Sequence, residues 1–170
     1  MKPRIQILIS VFFFLLLAGL FALAQEAKPG VLTAAELKKA VPDNYFFRGQ
    51  SATVQVRNAG GLRVAGGKLV LFALVDTSGY AHDVAEKYEG LLITETKVNI
   101  GGSEVGPGQY GFGFNADGKF RVMNVAAADL LAVDIKSDDN LKRPVPLILK
   151  EEGGEYRLYK GKKYVVVKAE

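Results

Sequence analysis

Cysteine is absent from the chain, and histidine occurs once, at His82. Without cysteine there is no disulfide, no thiolate metal ligand and no thiol nucleophile. A zinc-type site needs three or four convergent ligands, so one histidine and no cysteine give no metal centre to look for. A Ser-His-Asp triad would have to use His82, and no serine stands in a G-x-S-x-G pattern. An excess of one charge is also missing. The 22 Lys and Arg against 18 Asp and Glu leave +4, too mild a balance for nucleic acid as the main partner. No low-complexity stretch or interior linker divides the chain, so one domain is expected. No motif calls for a cofactor.

One long hydrophobic run is present, at the start. Lys2 and Arg4 precede an apolar stretch from Ile7 to Leu23, and Ala22-Leu23-Ala24 supplies the small residues that signal peptidase requires. Residues 1–24 therefore read as a secretory signal peptide, with the exported protein periplasmic or extracellular and carrying no membrane span after cleavage. The alternative is an uncleaved anchor, since about 20 apolar residues span a bilayer. The small-x-small site and the polar segment after it favour cleavage. No cysteine stands at the junction, which excludes an acylated lipoprotein. Exported without disulfides, the chain must be stable from packing alone.

Residues 25–44 read as a leader and a short helix. In "TAAELKKAVP", Thr33 and Glu36 have capping-box spacing, Leu37 and Val41 share a face, and Pro42 stops the helix. From residue 45 to 170 the pattern turns to β, in one domain. "SATVQVR" alternates, while "KLVLFALV" is apolar on both faces, as for a strand covered on both sides. "LLITETKVNI", "QYGFGFN", "KFRVMNV", "VPLILK", "EYRLY" and "KYVVV" follow. Turn signals separate them at Asn58-Ala59-Gly60-Gly61, Gly101-Gly102, Asp117-Gly118, Gly153-Gly154 and Lys160-Gly161-Lys162. Only "HDVAEKYEG" interrupts, as a short interior helix ending at Gly90. The expected fold is all-β, an antiparallel β-barrel or β-sandwich of roughly eight to ten strands. Segments beginning at Gly60 and Gly101 share GG-x-x-V-x-x-G, which reads as two hairpins using the same turn chemistry.

Several stretches carry chemical possibilities. "ALVDTSG" resembles the Asp-Thr/Ser-Gly signature of pepsin-like and retroviral proteases, in which Asp76 would be catalytic. Ser78 stands where that signature has glycine, and the second aspartate such a mechanism needs has no evident motif. The competing reading is a strand end, with Asp76 and Thr77 bonding to the following turn. His82 beside Asp83 points a different way from its neighbour, which favours a solvated loop or helix start over an acid–base pair. "NADGKF" and "KSDDN" lack the alternating ligands of a calcium loop and read as a turn and a polar loop. The basic run "YKGKKYVVVK" reads as charge protecting an exposed edge strand. In "PGQYGFGF", Tyr110, Phe112 and Phe114 fall on one strand face, with Gly111 and Gly113 on the other. The glycines leave a flat track that a neighbouring element fills as core, or that a ligand enters.

"FFRGQSATVQVRN", "LVDTSGY", "PGQYGFGF", "RPVPL" and "YRLYKGKKYV" resemble recurring segments of secreted bacterial β-rich proteins that remain uncharacterised. That resemblance implies export and a β fold and carries no activity. The function expected is an exported, non-enzymatic domain binding an apolar small molecule or an envelope protein. The alternatives are a hydrolase using Asp76 and a structural envelope component.

Overall fold

A computed structural model describes residues 28–169. The segment 1–24 read as a signal peptide lies outside the described residues. Among the described residues, no helix is long and apolar enough to cross a membrane.

After a two-residue strand β1 (Gly30–Val31) comes helix α1 (Ala34–Ala40). Both halves of its capping box form, between Thr33 and Glu36, and Leu37 and Val41 are buried. Strands β2 (Asn44–Phe47) and β3 (Gln50–Arg63) make a hairpin whose two turn residues, Arg48 and Gly49, both have positive φ. That is the twist a two-residue hairpin loop requires. Strand β4 (Leu69–Val75) leads through the one-turn helix α2 (His82–Ala85) to β5 (Gly90–Thr94). The short β6 (Val98–Ile100) and β7 (Ser103–Val105) precede the long β8 (Gly108–Phe114) and β9 (Lys119–Met123). The chain closes with β10 (Asp129–Asp134), β11 (Lys136–Ser137), β12 (Val145–Glu152), β13 (Glu155–Gly161) and β14 (Lys163–Ala169).

These strands form two antiparallel sheets. The larger runs β1-β3-β4-β5-β8-β9-β10 with β2 added to β3, and the smaller runs β12-β13-β14-β6-β7 with β11 added to β14. The fold is thus a sandwich of two open sheets. One core lies between the sheets: Phe72, Leu92, Phe112 and Phe120 of the larger meet Ile100, Leu147, Leu158 and Val165 of the smaller. A second apolar layer covers the other face of the larger sheet, where Leu37, Tyr45, Phe47, Val84 and Tyr88 lie on Leu71, Ala73, Leu91 and Met123. Strand β4 shows why its sequence is apolar throughout. Val70 and Phe72 enter the first core, and Leu71, Ala73 and Val75 enter the second.

The structure departs from the sequence reading in four places. Gly60 and Gly61 form no turn; they lie inside β3, beyond a register shift between Gln55 and Ala59. A Cβ on Gly60 would stand 2.5 Å from the Leu149 nitrogen, so the glycine is what lets β12 cross β3 so closely. The two GG segments therefore do different jobs, since Gly101 and Gly102 do turn between β6 and β7. The interior helix is a single turn, and Gly90 opens β5 instead of ending a helix. A Cβ there would meet the Ala73 carbonyl and the Phe112 ring. Residues 160–168 do not line an edge, because β13 and β14 each have neighbours on both sides. The strands also outnumber the eight to ten expected, because β1, β2, β6, β7 and β11 are only two to four residues long.

Candidate functional site

Asp76 stands exposed at the end of β4. Its backbone N–H donates to the Thr53 carbonyl (2.9 Å), and its Oδ1 accepts the Ser78 N–H (3.0 Å). The Ser78 bond holds the carboxyl below its ordinary range. His82 opens α2 with its side chain 91% exposed and Nε2 2.9 Å from Glu86 Oε1. Each candidate is thus engaged by a residue of its own turn. Among the described residues, no group of three or more His, Cys, Asp or Glu is placed to hold a metal.

The aromatic face of β8 points into the sandwich. Phe112 stacks on Phe120 (centroids 5.5 Å apart) and meets Phe72 edge-on, while Phe114 packs against Phe120. Tyr110 is half-buried, and its hydroxyl donates to the Gly106 carbonyl (3.1 Å). On the opposite face the glycine track is filled by the chain itself. A Cβ on Gly111 would lie 2.5 Å from the Phe47 ring and 3.0 Å from Tyr88, and one on Gly113 would lie 1.9 Å from the Lys87 carbonyl. Phe47 and Tyr88 stack there with centroids 3.9 Å apart. Hydrogen bonds close the seam: Glu89 N–H to Phe112 O (2.8 Å), Phe114 N–H to Glu89 Oε2 (2.9 Å) and Asn115 Nδ2 to Glu86 O (2.8 Å). The short segment after α2 occupies the space that a ligand on this track would need.

Open space lies elsewhere. A cleft of about 560 Å³ sits where the chain passes from the larger sheet into the smaller. Strand β14 is paired with β11 at Lys163 and Tyr164, and with β6 from Val167 onward. Between them, at Val165 and Val166, both neighbours turn away, and the Gly101 N–H reaches the Val166 carbonyl (2.9 Å). The cleft forms over this gap. Its walls are Asn99 and the Gly101-Gly102 turn on one side, Ala132, Asp134 and Lys136 on the other, with Glu155 and Lys168 along the sheet. Gly101 has positive φ and lies so close to Val133 that a Cβ would stand 2.8 Å from its methyl, which brings the β6–β7 turn against β10.

Residues directly opposite across a ladder share a face, as do alternate residues along a strand. Lys136 faces Tyr164, and Lys168 faces Asn99. Both lysines therefore stand on the outer face of the smaller sheet, at the two ends of the gap. Lys168 lies four steps along the strand from Tyr164, so the lysine backbones are about 13 Å apart along the strand. The charges on the walls are not equally available. Asp134 is held by Lys119 (2.6 Å), and Glu155 is faced by Arg157 (4.0 Å). Among the described residues, Lys136 and Lys168 form no ion pair. Asn99 Oδ1 accepts the Gly102 N–H (3.0 Å), which orients the amide and leaves its NH₂ as donor. Asp138 steadies the β11 wall: its N–H donates to Lys162 O (2.9 Å), and its carboxylate accepts the Tyr159 hydroxyl (2.8 Å).

Of these residues, sequence reading singled out the Gly101-Gly102 turn, Lys136 and Asp138 within the polar loop "KSDDN", and the lysine run that contains Lys168, each for a different reason. The walls come from β6, β10, β11, β13 and β14, and no local spacing announces their meeting. Protein-family models, curated proteins and solved structures compared with this chain contain no match to it.

Proposed function

We propose that this chain is an exported, non-enzymatic binding domain that holds an envelope protein partner at the cleft beside β14. Export rests on residues 1–24, with their basic start, apolar run and Ala22-Leu23-Ala24 site. Binding in place of hydrolysis is supported by Asp76 and His82, each engaged within its own exposed turn. The observation that carries the reading is the contrast between two surfaces. The aromatic–glycine track of β8, suited to an apolar ligand, is filled by Phe47, Lys87 and Tyr88. The cleft is open and polar, and it is bordered by Lys136 and Lys168, which form no ion pair among the described residues. Such a surface suits a polar segment of another protein better than an apolar small molecule.

The test is a native mass spectrum of the gently purified protein beside its Ala132→Trp variant. Ala132 is exposed on the cleft wall, so the indole fills the space without entering either core. A partner carried by the wild type and absent from the variant is the expected result. A partner carried equally by both, or none carried by the wild type, would overturn the proposal.

A further inference from the structure

We infer that the cleft recognises an acidic extended peptide segment, two of whose carboxylates meet Lys136 and Lys168. This rests on the cleft being the partner site. Of the carboxylates native to the cleft, Asp134 is paired with Lys119 (2.6 Å), and Glu155 lies 4.0 Å from Arg157, which also holds Glu152 (3.1 Å), so an incoming anion meets the two lysines and the Asn99 amide beside acids that already have a cationic neighbour. Spacing selects the form of the anion. Backbones about 13 Å apart suit two single charges set apart on one extended chain. A compact dianion such as phosphate presents its whole charge at one point. An extended peptide places alternate side chains on one face about 7 Å apart, so two carboxylates on that face are separated charges of this kind. The Gly101-Gly102 turn adds a low wall against which a second backbone approaches closely.

The experiment is an amide-shift titration of the full protein with three probes: a capped Glu-Ala-Glu peptide, its Gln-Ala-Gln counterpart and inorganic phosphate. Glu-Ala-Glu is expected to shift the Gly101, Gly102 and Val166 amides saturably, with a Kd on the order of 1 mM that weakens with added salt. Lys136→Gln and Lys168→Gln should each weaken it about two- to fivefold, the range for an exposed ion pair. Equal binding of Gln-Ala-Gln, or unchanged affinity in both lysine variants, would overturn the acidic-segment inference while leaving the cleft as a binding site. Phosphate saturating more tightly than the peptide would overturn it in favour of a compact anion. If neither peptide moves these amides and Ala132→Trp still retains the native partner, the cleft reading itself fails.

Discussion

Glu36 receives three hydrogen bonds at one carboxylate. The Thr33 N–H and hydroxyl both donate to Oε2 (2.8 Å each), and Arg63 donates to Oε1 (2.9 Å). The Thr33 backbone bond leads, followed by the hydroxyl and Arg63, in holding the carboxyl at about 2 against an ordinary 4.5. Asp117, gripped by Arg121, is likewise lowered from 3.8 to about 2. A carboxyl whose folded pKa is depressed adds stability that is complete above its unfolded pKa and is lost as pH falls through the folded value. The urea midpoint should therefore fall between pH 5.5 and pH 2.5, and Glu36→Gln should fall less over that interval than the wild type. Parallel losses would show that the Glu36 contacts contribute nothing. The Thr33–Glu36 half of this arrangement is legible in sequence, because a capping box is a three-residue spacing. The Arg63 half is not, because it comes from across the fold.

At the scale of elements, the crossing of β12 over β3 depends on Gly60. Asn58-Ala59-Gly60-Gly61 reads in sequence as a turn because glycine pairs commonly supply positive φ. Here glycine answers a different need, close approach of two backbones, which looks the same in one dimension. Gly60→Ala should cost about 1–3 kcal/mol in urea unfolding, the range for overpacking, since the nearest obstruction is the Leu149 backbone and not a flexible side-chain end. A neutral substitution would mean that β12 does not lie against β3. The basic run across β13 and β14 departs from its sequence reading for a related reason. Lysines guard edges in many sheets, yet here Lys168 borders a gap between two partners of a central strand, and Lys160 pairs with Glu89. Periodicity marks a strand well and says little about its neighbours.

At the scale of the molecule, much of the architecture follows from patterning. The all-β class, the short N-terminal helix and the doubly buried β4 are all written in apolar spacing that depends on near neighbours. The choice of sandwich over barrel and the existence of the cleft depend on which strand lies beside which, and that is decided by pairings far apart in sequence. The "PGQYGFGF" stretch shows the boundary between the two. Its two faces are legible from alternation, but what covers the glycine face is Phe47 and Tyr88, brought from a hairpin and from the segment after α2. Whether that face is core or the cleft is the free surface decides the account, and the thermal midpoints of Gly111→Ala and Ala132→Trp test it most directly. A methyl on Gly111 drives into the stacked Phe47 and Tyr88 rings, so its midpoint should drop by about 5–10 °C. Ala132→Trp, on an exposed wall, should stay within about 2 °C of wild type. A tolerated Gly111→Ala with a strongly destabilised Ala132→Trp would contradict the account, returning the binding site to the β8 track and making the cleft part of the packed fold.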